Sequence, residues 1–256
     1  LTGALIFVLG TNVSRRANYP PVLYVLMLGF FLRMVFQTFS RDLPIYSYGA
    51  GGDCQIYEEL SLYIVEIWDQ NGISFIQNDR LPELGLTSLP PNIFAFVAYL
   101  NGGSSRAGCT ALIALAAALT YINIFELGRE LGGQTKSAFA MATMFSFSPA
   151  YMLYTSDMYK DGIVVALTLG AVGSAIRLGK KLSVLHLLIG LTCIFSLAFV
   201  RNYLIYVTIA PLFVGLVGFR SKSIARTATV LVLEIIGCFI LASFSTKLNE
   251  VATTAQ

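Results

Sequence analysis

Charge is scarce in this chain. Asp, Glu, Lys and Arg make up 12% of its 256 residues while 56% are hydrophobic, against about a quarter charged in an ordinary soluble domain. With a mean hydropathy of +0.72, that composition excludes a soluble fold and predicts an all-α, polytopic membrane protein. Histidine occurs once, as His186, which excludes a His-based zinc site and a Ser-His-Asp triad. It follows Lys180 and Lys181 at a helix entrance, where a solvated or capping role is expected. The four cysteines, Cys54, Cys109, Cys193 and Cys238, have no CxxC spacing. They read as small residues of membrane helices and exclude a disulfide frame. A net charge of +3 gives no reason to expect a nucleic-acid partner. The sequence opens at Leu1 inside an apolar run, so it is expected to be part of a longer chain.

What is abundant is the apolar run. Residues 1–10 read as the end of one apolar helix, with Arg15 and Arg16 in a polar link after it. Full spans are predicted at residues 21–39, 109–125, 138–153, 162–176, 185–199, 204–219 and 227–245, seven in all. Several are near the lower length limit at ~1.5 Å per residue. Residues 40–106 form a long loop with two hydrophobic pieces, one opening near residue 51 and one at 89–100. The second carries Pro90 and Pro91 and is too short to cross, so both are expected to be juxtamembrane helices. The whole of 1–256 reads as a single transmembrane module.

Sidedness follows from Lys and Arg in the short links. If Arg15 and Arg16 are cytoplasmic and 89–100 does not cross, the cytoplasmic links hold ten bases (Arg15, Arg16, Arg129, Lys136, Arg177, Lys180, Lys181, Arg220, Lys222, Arg226) against Glu126 and Glu130. The other side holds six bases (Arg41, Arg80, Arg106, Lys160, Arg201, Lys247) against eleven acids, a split of +8 and −5. Letting 89–100 cross would move the clusters at 177–181 and 220–226 outside, against the rule. The loop 40–106 is therefore expected on the extracytoplasmic face, in the cell membrane.

The polar insertion at 51–69, GGDCQIYEELSLYIVEIWD, is the candidate site. Asp53 stands at a helix start, where the backbone N–H groups and the helix dipole favour a carboxylate. Ile56, Leu60, Tyr63, Ile64 and Ile67 are predicted to form one face, with Glu58, Glu59, Glu66 and Asp69 on another. Asp157, Lys160 and Asp161, just past the span ending near residue 153, fall on the same side of the membrane. Arg33 lies within a span, where a charge is costly and usually paired. Either it pairs with Glu234, or it sits just under the outer interface and supports the acidic site. Arg201, at an extracytoplasmic helix end, and Lys160 are placed to meet a lipid phosphate unless Arg201 is an interfacial anchor. Arg80 reads as a solvated loop charge.

The order of these features resembles a family. A span with an internal arginine, then GGDCQIYEEL, a Pro-Pro apolar helix, LGRELGG and FSPAYMLYTSDMYKDG is similar to the GT-C superfamily of membrane glycosyltransferases. That superfamily includes oligosaccharyltransferase catalytic subunits, protein O-mannosyltransferases and lipid A aminoarabinose transferases. The resemblance covers about residues 21–245. It implies a seven-helix module and an inverting transfer of a sugar from a polyprenyl-phosphate donor to an acceptor on the extracytoplasmic side. It implies that Asp53, in a G-D-x-x-x-Y-like context with Gly52 and Tyr57, is the base or orienting carboxylate. The second acid follows Ser148 and Pro149, and is Asp161 or Asp157, with Asp161 favoured. Tyr57, Lys160, Arg201 and Arg33 are the expected substrate-binding residues. Asp157 and Asp161 form no D-x-D or D-x-E pair, so no metal set is assigned.

Two other classes stay open: a catalytically inactive GT-C-like subunit of a membrane complex with protein partners, and a transporter. A transporter would place polar or broken helices near the midplane, whereas here the acids gather in external loops.

Overall fold

The structure, a computed structural model, describes residues 1–40, 52–84, 87–201 and 203–217. The span expected over 227–245, with Glu234 and Cys238, lies outside the described residues. Ten α-helices are present among the described residues, joined by a single 3₁₀ turn at Pro82–Leu84 and by loops, with no strand. They are α1 (Thr2–Ala17), α2 (Pro21–Phe39), α3 (Gly52–Asn71), α4 (Leu89–Leu100), α5 (Arg106–Glu130), α6 (Thr135–Ser146), α7 (Pro149–Tyr154), α8 (Asp161–Lys180), α9 (Val184–Ala198) and α10 (Tyr203–Val217). They group into two compact units, Leu1–Ala166 and Leu167–Gln256.

Three helices, α2, α5 and α8, are long and apolar enough to cross a membrane. The seven full spans predicted are not all of this kind. The run expected at 138–153 is divided between α6 and α7, because Pro149 opens α7 and holds Ser148 extended at φ −60°, ψ 137°, as a residue before proline prefers. Helix α9 has 15 residues, about 22 Å of helix against a hydrocarbon core of about 30 Å, and α10 is described as far as Val217. At the N-terminus α1 continues through Arg15 and Arg16 instead of ending before them. Both bases lie in its last turn, where cations suit the helix dipole. The link shrinks to a tight turn closed by Asn18 at φ 49°, a left-handed conformation that asparagine tolerates.

In the first unit, α1 and α2 form one hairpin, α5 and α6 another, and the two pack together. Their shared core holds Ile6, Val13, Val22, Leu26, Ala118, Tyr121, Ile122, Phe125, Ala138 and Ala142. Helix α4, predicted at 89–100, has those bounds and packs on α3. The buried face of α3 is rotated from the one expected. It consists of Cys54, Tyr57, Leu60, Ser61, Ile64 and Trp68, while Ile56 and Tyr63 are exposed. On the buried face Tyr57 meets Phe94 at 6.4 Å and Trp68 meets Tyr99 at 6.0 Å, ring pairs that join α3 to α4. Asn92 of α4 pins the loop after α3 by accepting from Ile76 N–H at 2.9 Å and donating to Ile76 C=O at 2.8 Å.

In the second unit Ala171, Ala175 and Leu178 of α8 pack with Ile194 of α9 and Leu212 of α10. Cys193 is half-buried there, and Cys54 and Cys109 are buried in the first unit; all three are free thiols. His186, in the first turn of α9, is also half-buried, and its Nδ1 has no hydrogen-bond partner.

Candidate functional site

At one end of the first unit the start of α3, the start of α5 and the segment between α7 and α8 come together. Helix α3 opens with Gly52 and Asp53, and Asp161 is the first residue of α8. Between them reaches Lys160, whose Nζ lies 3.7 Å from Asp53 Oδ2 and 5.5 Å from the centre of the Tyr57 ring. Asp53, Tyr57, Lys160 and Asp161 thus form one cluster: the Tyr57 phenol lies in the field of both aspartates as well as of Lys160. Burial raises the Tyr57 pKa above its ordinary value, and the neighbouring Lys160 opposes that only in part. The phenol is a neutral donor at physiological pH. The Asp53 side chain is 56% exposed and that of Lys160 is 17% exposed. A pair this open on the Asp53 side contributes at most about 1 kcal/mol, so Asp53 can give way beside Lys160 to a ligand group at small cost. On α3 the neighbouring Glu58 accepts from Ser104 Oγ–H at 2.9 Å.

Asp157 has another place altogether. Its side chain is 0% exposed and forms a two-point pair with Arg106, Nη2 to Oδ2 at 2.8 Å and Nε to Oδ1 at 3.2 Å. Asp157 Oδ1 also accepts from the Met158 N–H at 2.8 Å, and Arg106 Nη2 reaches Ser40 Oγ at the end of α2 at 3.0 Å. A carboxylate sealed in this way has no open side for an acceptor, which separates Asp157 from Asp53 and Asp161. Arg106 was missed by sequence reasoning, where it counted only as one more base on the outer side; nothing local marks it, since its partner is 51 residues away.

Arg33, expected to meet Glu234 or to sit beneath the acidic site, is 2% exposed and ties α2 to the α6–α7 break. It donates from Nη1 to Gly29 C=O at 3.0 Å, from Nη2 to Ser146 C=O at 2.9 Å and from Nε to Thr155 Oγ1 at 2.8 Å. Its guanidinium lies 5.7 Å from the centre of the Tyr151 ring. The break frees the last carbonyls of α6, and a cation at that helix end satisfies one of them and complements its dipole. Arg33 therefore reaches the site through the chain that follows Thr155, and does not itself touch Asp53 or Lys160 by any contact described. Arg201 belongs to the second unit, where its Nη1 donates to Tyr203 Oη at 3.1 Å. Arg80 is an exposed loop residue near Ser74, as expected.

Among the described residues no group of three or more His, Cys, Asp or Glu side chains is placed to hold a metal ion. The cluster offers instead an open carboxylate beside an ammonium and a phenol. It can accept a proton from a bound hydroxyl and neutralise an anionic group next to it. No family model, curated protein or solved structure matches this chain.

Proposed function

We propose that the chain is an integral-membrane glycosyltransferase of the GT-C kind, transferring a sugar from a polyprenyl-phosphate donor to an acceptor on the extracytoplasmic side. The observation that supports this is the meeting of Asp53 with Lys160 and Asp161 across 107 and 108 residues of sequence, at one end of a bundle whose longest helices suit a membrane. In this reading the donor phosphate takes the place of Asp53 beside Lys160, and Tyr57 and Lys160 hold it. The released Asp53 carboxylate accepts the proton of the acceptor hydroxyl as its oxygen bonds to the anomeric carbon. The bond from that carbon to the phosphate oxygen breaks, and the phosphate leaves with the electron pair, its charge met by Lys160. A single displacement inverts the anomeric centre. Asp161, fixed at the start of α8, orients the acceptor.

The test is transfer of labelled sugar from a polyprenyl-phosphate donor in membranes carrying the protein. Asp53→Asn is expected to abolish transfer while the protein inserts and accumulates normally, and Glu59→Gln, an exposed acid on the same helix, is expected to transfer at the normal rate. Normal transfer by Asp53→Asn would remove Asp53 from the mechanism.

A further inference from the structure

The segment between α7 and α8, residues 155–160, is neither helix nor strand, yet Thr155, Ser156, Asp157, Met158 and Tyr159 are all within 2% of complete burial. Irregular backbone is buried only where its polar groups find partners. Here the N–H groups of Thr155 and Ser156 donate to Met152 and Leu153 C=O at 3.3 Å each, that of Met158 to Asp157 Oδ1 and that of Tyr159 to Asp157 C=O at 2.8 Å each, and the segment's side chains are held from two sides. Arg33 holds the segment at Thr155, whose own hydroxyl donates to Tyr151 C=O, and Ser156 Oγ–H donates to Met152 C=O at 2.6 Å. Two residues on, Arg106 grips the Asp157 carboxylate with two hydrogen bonds. The Tyr159 ring packs edge-on against Tyr154 at 5.3 Å. The next residue is Lys160.

We infer that Arg33 and Arg106 form a two-sided clamp on residues 155–157 and that Asp157 is a positioning residue, not a catalytic one. The clamp sets where Lys160 and Asp161 stand against Asp53. Lys160 has a long flexible stem, and its contacts with the half-exposed Asp53 and with the Tyr57 ring fix the ammonium alone. The chain that carries it must therefore be fixed from behind. The forked guanidinium of Arg106 does this through a two-point contact that a lysine cannot make. The assignment of a role in transfer rests on the reading given under the proposed function; the clamp itself does not.

The experiment has two arms that separate these. In the first, hydrogen exchange of the unmodified protein in detergent is followed by mass spectrometry, and the accessibility of Lys160 to an amine-acylating reagent is compared between the unmodified protein, Asp157→Asn and Arg106→Lys. The clamp predicts that residues 155–159 exchange as slowly as α5, and that acylation of Lys160 becomes several-fold faster in both variants. Fast exchange across 155–159 in the unmodified protein overturns it even if neither variant folds, and so does unchanged acylation in a folded variant. In the second arm sugar transfer is measured. A displacement near 1 Å costs on the order of 10²-fold in rate, so Arg106→Lys and Asp157→Asn are each expected to lose most of kcat with the donor KM little changed, and Asp157→Glu is expected to keep part of what Asp157→Asn loses. Equal loss in KM and kcat would make the pair merely structural. If the first arm succeeds while the unmodified protein transfers no sugar, the clamp stands and the transferase reading falls.

Discussion

The cation at Arg33 is held inside the first unit by carbonyl and hydroxyl oxygens, which distribute the stabilisation over three elements: Gly29 on α2, Ser146 at the end of α6 and Thr155 after α7. Replacing it by methionine keeps the stem and removes the donors, leaving the Ser146 carbonyl at the break without its donor. A buried acceptor left unsatisfied costs about 1–3 kcal/mol, so Arg33→Met is expected to lower the thermal unfolding midpoint in detergent clearly. Arg33→Lys, with one point charge in place of a fork, is expected to fall between the two. A midpoint unmoved by Arg33→Met would show that the break does not depend on the arginine. In the sequence Arg33 was recognisable as a charge needing a partner, but its partners are carbonyl and hydroxyl oxygens of Gly29, Ser146 and Thr155, neutral groups that no charge pattern announces. Asp53 and Lys160 were legible as polar groups beside helix ends, and Asp161 was favoured over Asp157 by its place at the mouth of the next helix; that Arg106 engages Asp157 was not legible.

At the scale of elements, apolar length and proline gave α2 and α4 the bounds expected, whereas the run read through Pro149 as one span is divided there into α6 and α7. What periodicity could not supply was rotation. The buried stripe of α3 is set by which rings find α4, a tertiary choice that a residue-by-residue spacing leaves open between neighbouring stripes. The junction that matters most for the site is the start of α8 against α5. Gly162 permits it: a Cβ built there would lie 2.9 Å from Ile113 Cγ2 and 3.1 Å from Thr155 Cγ2. Ile113 is buried and β-branched, so it cannot turn aside cheaply. Gly162→Ala should gain up to about 1 kcal/mol of helix propensity and lose about 1–3 kcal/mol to overpacking. The expected result is a lower unfolding midpoint and, on the transferase proposal, slower sugar transfer, because the displaced turn carries Asp161 and follows Lys160. Gly52→Ala is the control, since a Cβ there meets nothing within 4 Å.

For the molecule as a whole, the first unit has its basic turns, with Glu126 and Glu130 beside them, at one end and the cluster around Lys160 and Arg106 at the other. The turn between α1 and α2 follows Arg15 and Arg16, and the turn between α5 and α6 lies between Arg129 and Lys136. The antiparallel hairpins put these four bases at the end away from Asp53, Glu58, Asp157 and Asp161. The contact from Arg106 to Ser40 joins the start of α5 to the end of α2 and makes that second end continuous. If the basic end is cytoplasmic, as short basic links favour, the cluster around Lys160 faces outward. Single cysteines at exposed positions test this, with the unmodified protein measuring the background of its native thiols. A membrane-impermeant maleimide should label Gln55→Cys on intact cells, and Lys136→Cys only after the cells are permeabilised. Labelling of both from one side would mean that the hairpins do not cross as read, and an inverted pattern would place the cluster in the cytoplasm, where an acceptor on the extracytoplasmic side could not reach it. The outcome therefore bears on the enzyme reading without any knowledge of the sugar. A carboxylate and an ammonium on the outer side have access to a lipid-linked donor there, and the same pair on the inner side does not.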